Sequence, residues 1–243
     1  MIVEREVSVS LRAARHAALG DRHRLAIVDL LALSDRSPTE LRVELGMESN
    51  LLAHHLRVLE RVGLVERRVS DGDGRRRYVR LRSWDFTGGV RPIVAGHVLF
   101  VCTHNSARSQ LAAALWNVAH EPPATSAGTH PAARVHPKAV AAGAAVGLDL
   151  GAARPQSLDE VAVEPGLVVT VCDRAHEQLA TMPWPNLHWS LPDPARSGRQ
   201  RAFDGTVRSL QHRIRHVAPL VRPPGGLQSR PASLEDTRRA RSR

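Results

Sequence analysis

The chain has 243 residues, 42% hydrophobic and 24% charged, and these proportions exclude wholesale disorder and collagen-like structure. At about 150 residues per domain, this length predicts one large or two small domains. The formal net charge is +10, from 34 basic and 24 acidic residues, which is compatible with an acidic partner such as nucleic acid but does not establish one.

The cysteine content and the apolar runs predict the compartment. Two cysteines, Cys102 and Cys172, are too few for a disulfide scaffold or a four-cysteine zinc site. Residues 1–7 contain Glu4 and Glu6 and no long apolar run, so no signal peptide is predicted. No apolar run reaches about 18 residues, the length of a membrane-spanning helix. We therefore expect a cytoplasmic protein with reduced thiols and no membrane partner.

Breaks in composition predict the domain boundaries. Gly88, Gly89 and Pro92 interrupt any periodicity over residues 83–95, and Pro223–Gly226 begin a segment with scattered arginines. We predict a first domain over residues 1–85, a linker over 86–95, a second domain over 96–221 and a disordered basic tail over 222–243.

The first domain is predicted to contain four helices followed by a β-hairpin. Asp21 is a candidate N-cap, and Ser37-Pro38-Thr39-Glu40 has the pattern of a capping box that starts a short helix ending at Gly46. A second helix is predicted from about Ser49 to Arg61. Strands at 64–70 and 75–82 flank Asp71-Gly72-Asp73-Gly74, a strong hairpin-turn signal.

This order of elements is an α+β winged helix-turn-helix, in which the second helix reads the major groove and the hairpin lies along phosphates. A hairpin that is merely charged and solvated is the alternative. The candidate DNA-binding residues are Ser49, Asn50, Ala53, His54 and Arg57 on the helix and Arg75, Arg76 and Arg77 on the hairpin.

The stretch Leu51–Val65 (LLAHHLRVLERVGLV) resembles the ArsR-type family of metalloregulatory repressors, over about residues 10–82. The resemblance implies a transcription regulator that binds a double-stranded DNA operator as a homodimer. In the family pattern His54 and His55 belong to the reading helix, so we assign no metal ligands. The domain has no cysteine, which excludes a thiolate arsenite site within it.

In the second domain, predicted strands and helices alternate, which favours a parallel sheet flanked by helices. The predicted strands are 97–101, 167–171 and 187–189, and the predicted helices are 109–119, 136–146 and 201–221.

The strongest signal in the chain is an apolar strand, Val98–Val101, that ends in Cys102 and is followed by five residues, Arg108, Ser109 and a helix. Backbone amides of such a turn can converge on a tetrahedral anion at the helix N-terminus. We expect the helix dipole and Arg108 to lower the pKa of Cys102, Ser109 to donate to its sulfur, and Asn105 to hold the loop shape. The oxyanion-binding loop is predicted as Thr103, His104, Asn105, Ser106 and Ala107.

This stretch resembles the low-molecular-weight tyrosine phosphatases, and more closely their arsenate reductase branch, over about residues 96–221. Supporting stretches are Ser126–Thr129, His136-Pro137, Val169–Cys172 and Trp189 followed by Asp193–Ala195. The resemblance implies an α/β parallel-sheet domain of low-molecular-weight phosphatase type, with Asp193 as general acid. The predicted catalytic residues are Cys102, Arg108, Ser109, Asp193 and Cys172.

Pocket chemistry favours a small inorganic anion such as arsenate. Phosphotyrosine needs aromatic walls, yet Tyr78, the only tyrosine, lies in the hairpin, and Ala195 and Arg196 follow Asp193-Pro194. The leading hypothesis is a DNA-binding, arsenic-responsive regulator fused to an arsenate reductase. A non-catalytic repressor that senses oxyanions and a protein tyrosine phosphatase are the alternatives.

Reduction also requires a second thiol. Cys172 ends a strand predicted to lie parallel to the Cys102 strand, so it is either a resolving thiol or a buried structural cysteine. Residues 174–183 contain no further cysteine, which excludes an internal three-cysteine relay. We predict no tightly bound cofactor and an external reductant, which is thioredoxin, a glutaredoxin-like protein or a low-molecular-weight thiol.

Overall fold

The computed structural model describes residues 9–83, 90–118, 120–181 and 186–225. Its first domain contains four helices and an antiparallel hairpin, which confirms the predicted winged helix-turn-helix. The helices are α1 (Val9–Leu19), α2 (Arg22–Leu33), α3 (Pro38–Leu45) and α4 (Ser49–Arg61), and the strands are β1 (Val65–Val69) and β2 (Arg77–Leu81). None of the described helices is long and apolar enough to cross a membrane.

Local hydrogen bonds begin and end these helices as the sequence predicts. The Asp21 carboxylate accepts the backbone N–H groups of His23 and Arg24 at the start of α2. Ser37 and Glu40 form the predicted capping box of α3, which ends at Gly46 with φ of 61°. The buried face of α4 then packs on the core of the first domain through Leu52, His55, Leu56 and Leu59.

The second domain is built on a four-stranded parallel sheet in the order β5-β4-β6-β7, which confirms the predicted α/β class. Its strands are β4 (Val98–Cys102), β5 (Ala124–Gly128), β6 (Leu167–Thr170) and β7 (Asn186–His188). Its helices are α5 (Arg108–Asn117), α6 (Pro137–Ala144), α7 (Asp173–Gln178) and α8 (Gln200–Val217). Every residue of the central strands β4 and β6 is buried, so the sheet is the core of the domain.

The strands and helices predicted from the sequence do not include β5 or α7. Regular structure also begins inside the predicted linker, because β3 (Ile93–Val94) pairs in parallel with β8 (Val221–Arg222). That pairing continues one residue into the predicted tail. Linker residues 86–89 and tail residues 226–243 lie outside the described residues.

The two domains share a buried interface. The indole Nε1 of Trp189 donates to the carbonyl oxygen of Leu33 at 3.0 Å, and His188 donates its backbone N–H to Ser34 Oγ at 2.8 Å. Tyr78 of the hairpin packs edge-on against the His188 ring, with centroids 4.6 Å apart. The hairpin is therefore held against the sheet edge where β7 ends.

Candidate oxyanion site and nucleic-acid interface

The loop of residues 103–107 joins the end of β4 to the start of α5. Carbonyl oxygens along this connection accept hydrogen bonds from residues outside the loop. The backbone N–H groups of residues 129, 130, 132 and 136 donate to the carbonyl oxygens of residues 102, 103, 104 and 106. The amides of His104, Ser106 and Ala107 have no acceptor among the described residues. This arrangement leaves amides available to bind an anion at the N-terminus of α5.

Asn105, which the sequence predicts to hold the loop shape, contacts the segments around the loop through its side chain. Its backbone has φ of 47°, in the left-handed region that Asn tolerates better than most residues. Its side-chain Nδ2 lies 2.8 Å from Ser109 Oγ and 2.9 Å from Ser126 Oγ. Its Oδ1 accepts from Gln110 Nε2 and the Gln156 amide, each at 3.0 Å. All four side-chain contacts hold the loop against α5, β5 and the segment after α6.

Gly128 lies directly beneath the loop. A Cβ atom at this position would lie 2.8 Å from the carbonyl oxygen of Thr103 and 3.0 Å from Asn105. The loop therefore packs on β5 at a distance that only glycine permits at this position.

The Cys102 sulfur lies 3.0 Å from Ser109 Oγ and accepts the N–H of Asn105 at 3.2 Å. The residue is 2% exposed, and it is not among those that line the adjoining cavity. The structure thus brings together the predicted nucleophile and the predicted sulfur partner beneath the loop rather than at its surface.

Arg108 is 7% exposed, donates from Nη1 to the carbonyl oxygen of Leu191 at 3.1 Å, and lies 3.5 Å from Asp193 through Nη2. Burial alone would lower the pKa of Arg108, but neighbouring acidic groups raise it above its usual value. These groups are the thiols of Cys172 and Cys102 and the carboxylates of Asp193 and Asp71. The guanidinium therefore stays charged in a buried, anion-rich setting.

Cys172 follows β6, the neighbour of β4, so both cysteines lie at the carboxyl edge of the sheet. Its sulfur accepts the N–H of Thr103 at 3.2 Å and that of Ala175 at 3.4 Å. Burial raises the pKa of the Cys172 thiol, against the opposing effect of Arg108. Both cysteines are free thiols.

A cavity of about 420 Å³ opens over the loop. It is lined by Thr103, His104, Arg108, Cys172, Asp173, Arg174, Asp193, Arg196 and Asp71. Eight of these residues come from the second domain, and Asp71 comes from the hairpin of the first. The sequence pattern identifies Asp71 only as a turn residue, because no local signal relates it to a site more than 20 residues away.

The predicted DNA-reading face of α4 is accessible. Ser49, Asn50, His54 and Arg57 are exposed and Ala53 is half-buried, whereas the opposite face of the helix is in the core. Arg75, Arg76 and Arg77 are exposed as well.

Other hairpin arginines are engaged within the protein. The ion pairs are Arg67 with Glu60, Arg68 with Asp71, and both Arg80 and Arg82 with Glu66. Arg76 has a longer, exposed pair with Asp73 at 3.8 Å, so of the three exposed arginines at residues 75–77 one is also paired within the hairpin.

A cluster of one carboxylate and two histidines lies between the start of α2 and the middle of α4. One ligand atom each from Asp21, His23 and His55 lie within 4.8 Å of one another, and neither ring nitrogen of the buried His55 has a hydrogen-bond partner among the described residues. Burial lowers the pKa of His55. However, Asp21 Oδ1 already accepts two backbone N–H groups as the cap of α2. We interpret the cluster as a helix cap beside a neutral histidine.

Comparisons with known proteins agree with this division. Residues 97–223 match the family described as low molecular weight phosphotyrosine protein phosphatase, and residues 19–68 match a helix-turn-helix domain. An arsenate reductase of Staphylococcus xylosus is 36% identical over 112 residues, which cover 40% of this chain and 78% of that protein. An arsenate reductase of Brevibacillus brevis is 35% identical over 109 residues, covering 40% and 76%.

Among solved structures, the crystal structure of an arsenate reductase from Archaeoglobus fulgidus aligns with 30% identity and a TM-score of 0.40. The alignment covers 47% of this chain and 96% of that one.

Proposed function

Because the chain belongs to the low molecular weight phosphotyrosine protein phosphatase family, we propose that its second domain is an arsenate reductase. We further propose that its first domain binds an operator as an ArsR-type, homodimeric regulator of arsenic resistance. The observation that carries the enzymatic proposal is a combination of three groups: a free thiol at Cys102 beneath the loop, a buried cation at Arg108 in the cavity wall, and loop amides that have no acceptor among the described residues.

The first step is nucleophilic substitution at arsenic. The loop amides and the Arg108 guanidinium bind the arsenate oxygens, and Ser109 stabilises the Cys102 thiolate from 3.0 Å. The thiolate attacks arsenic, so that an S–As bond forms and an As–O bond breaks. Asp193 gives its proton to the departing hydroxide, which leaves as water. Arsenic remains pentavalent at this stage.

The second step transfers the electrons. A second thiolate attacks the Cys102 sulfur, so that an S–S bond forms and the S–As bond breaks. The electron pair of the broken bond stays on arsenic, which becomes trivalent and leaves as arsenite. Two thiols are thereby oxidised to one disulfide for each arsenate reduced.

Two sources of the second thiol fit the site. Cys172 is the internal candidate, because adjacent parallel strands lie about 4.8 Å apart and a disulfide requires Cα atoms within about 7 Å. An external thiol is the other, and thioredoxin, a glutaredoxin-like protein or a low-molecular-weight thiol would serve. Turnover beyond a single cycle requires that external reductant in either case.

The composition of the cavity supports a small anion over phosphotyrosine. Among the described residues that line it, none is Phe, Tyr or Trp, whereas Arg108, Arg174 and Arg196 are present. Such a pocket offers charge and hydrogen bonds to an oxyanion but little apolar area to an aromatic ring. Tyrosine phosphatase activity is therefore the second candidate.

The exposed face of α4 and the exposed arginines at 75–77 support DNA binding. Side chains on that face suit base edges in the major groove, and the hairpin arginines suit the phosphates beside it. In this proposal the cellular site of action is the cytoplasm, where thiols stay reduced.

The deciding experiment measures arsenite released from arsenate by the purified protein with thioredoxin, a glutaredoxin-like protein or a low-molecular-weight thiol as donor. Parallel assays measure hydrolysis of para-nitrophenyl phosphate. Arsenite release that depends on one donor supports the reductase. Phosphatase turnover without arsenite would favour the phosphatase, and oxyanion binding without either product would favour a pure sensor.

A further inference from the structure

The turn of the hairpin, residues 70–74, is docked on the second domain. Ser70 Oγ donates to Glu177 at 2.7 Å, and the N–H of Asp73 donates to the other oxygen of Glu177 at 2.9 Å. The N–H of Asp71 donates to Asp173 at 2.7 Å, and that carboxylate is completely buried. The hairpin turn therefore lies against the edge of the second domain where α7 begins.

The side chain of Asp71 extends this contact into the oxyanion cavity. Its Oδ2 accepts the backbone N–H of Asp193 at 3.0 Å, and its Oδ1 lies 3.6 Å from the guanidinium of Arg196. It shares the cavity wall with Arg108. A carboxylate of the DNA-binding domain thus stands where an oxyanion would enter, and it contacts the residue that carries the proposed general acid.

Close packing at Gly72 shows how tightly the hairpin turn is seated. A Cβ atom there would lie 2.3 Å from Glu177 and 3.0 Å from the backbone of Arg174. By contrast, a Cβ atom at Gly74 would meet nothing within 4 Å. Of these two glycines, only Gly72 is therefore required for the turn to sit on α7.

We propose that the hairpin turn is a movable anionic wall of the oxyanion pocket, and that oxyanion binding and DNA binding oppose each other through it. This inference rests on the proposed function of both domains. A dianionic oxyanion in the cavity repels the Asp71 carboxylate and competes with it for the Arg196 guanidinium and the Asp193 amide. Binding of the anion therefore favours a state in which the turn is displaced.

The consequence for DNA follows from the position of the neighbouring arginines. Arg75, Arg76 and Arg77 come directly after the turn and line a shared groove with Ser37–Glu40 at the start of α3. In the docked state they are exposed beside the helix-turn-helix. Displacement of the turn moves these three arginines away from the start of α3, so the oxyanion weakens DNA binding. By linkage, DNA must weaken oxyanion binding by the same factor.

The test uses the full chain, inorganic phosphate as the unreactive oxyanion, and a fluorescently labelled duplex. Anisotropy gives the DNA affinity at rising phosphate, against sodium chloride at equal ionic strength. Calorimetry gives the phosphate affinity with and without saturating duplex. We expect each ligand to weaken the other by the same factor, about fivefold or more.

Two pairs of variants isolate the hairpin turn. Asp71→Asn removes the carboxylate from the cavity, so this variant should bind phosphate more tightly. In it, phosphate and duplex should change each other's affinity by less than about twofold. Asp73→Asn removes the same charge from an exposed position of the same turn and should retain the coupling. Gly72→Ala prevents seating sterically and should also lose the coupling, whereas Gly74→Ala should keep it.

Each outcome separates the coupling from the proposed function. If phosphate and duplex both bind but neither changes the affinity of the other, the coupling is wrong and the proposed function stands. If phosphate or duplex fails to bind, the proposed function itself is wrong. A phosphate effect that persists in Arg108→Ala, which lacks the buried cation of the pocket, would indicate direct competition at the DNA surface and would overturn the proposal.

Discussion

Asp35 of the first domain accepts two hydrogen bonds from the Arg213 guanidinium of α8, at 2.9 and 2.7 Å. Asp35 is fully buried and Arg213 is 5% exposed. The same carboxylate accepts the backbone N–H of Ser190 at 2.7 Å. This buried and hydrogen-bonded ion pair joins the two domains. Loss of either partner would leave the other charge buried without compensation.

Breaking this pair should be costly. Replacing Asp35 by Ala should lower the free energy of unfolding by about 3–5 kcal/mol, since Arg213 would remain buried and unpaired. Urea denaturation measures the change. The matched control is Asp73→Ala, because Asp73 forms an exposed pair with Arg76 at 3.8 Å and its loss should change stability by no more than about 0.5 kcal/mol. Equal effects of the two substitutions would contradict this assignment.

Cys102→Ser should abolish arsenate reduction, because no S–As bond of the same kind forms at a hydroxyl. DNA binding should be unchanged, since the Cys102 sulfur contacts Ser109 and Asn105 of its own domain. Arsenite assays and anisotropy with a labelled duplex measure the two properties on one sample. Undiminished arsenite production would show that Cys102 is not the nucleophile.

Asp193→Asn should slow the first chemical step by about 10²–10⁴-fold, the usual contribution of a general acid. The amide can still accept the N–H of Ala195, which the Asp193 carboxylate accepts at 3.2 Å, so the local turn should survive. Single-turnover arsenite formation is the measurement. Asp159→Asn, at an exposed position outside the cavity, should have no effect. A wild-type rate in Asp193→Asn would remove this residue from the mechanism.

Replacing Arg75, Arg76 and Arg77 by Ala should weaken binding to all DNA sequences. The slope of log K against log salt should become shallower by about 0.9 for each phosphate that the variant no longer neutralises. Salt titrations of DNA affinity provide the slope. The control replaces Arg80 and Arg82, which are paired with Glu66, and should change the slope much less. An unchanged slope in the triple variant would mean that this part of the hairpin does not touch the duplex.

If Cys172 is the resolving thiol, one arsenate per chain should be reduced without added thiol and both free thiols should disappear together. Because burial raises the pKa of Cys172, its thiolate fraction at neutral pH is small and grows as pH rises. The rate of this single turnover should therefore increase from neutral to alkaline pH.

Non-reducing peptide mapping after arsenate treatment identifies the disulfide. Cys172→Ala should lose the single turnover and keep any slow turnover supported by a small-molecule thiol. If Cys172 stays fully alkylatable while arsenite is produced, an external thiol attacks the adduct instead.

Several features of this protein could be predicted from its sequence because their causes are local. The Ser37–Glu40 capping box spans four consecutive residues, and its two hydrogen bonds form within one turn of helix. The buried strand that ends at Cys102, and the helix that starts at Arg108, are likewise encoded by a contiguous apolar run and the spacing that follows it. Two domains and their classes followed from such patterns.

Short or atypical elements could not be predicted in the same way. Strand β5, with the sequence Ala-Thr-Ser-Ala-Gly, has one β-branched residue, and its last position must be glycine because Gly128 packs under the loop. Helix α7 has six residues, too few for a helical period to be recognised.

The docking of the two domains depends on tertiary structure alone. Asp71 and Asp193 are 122 positions apart, and Asp35 and Arg213 are 178 apart. Hydrogen bonds over such separations leave no periodicity or spacing in the chain, since they depend on how independently folded surfaces meet. For that reason the sequence predicts a hairpin and an oxyanion-binding loop as two separate features. Only the tertiary structure places Asp71 of the hairpin in the wall of the cavity over the loop.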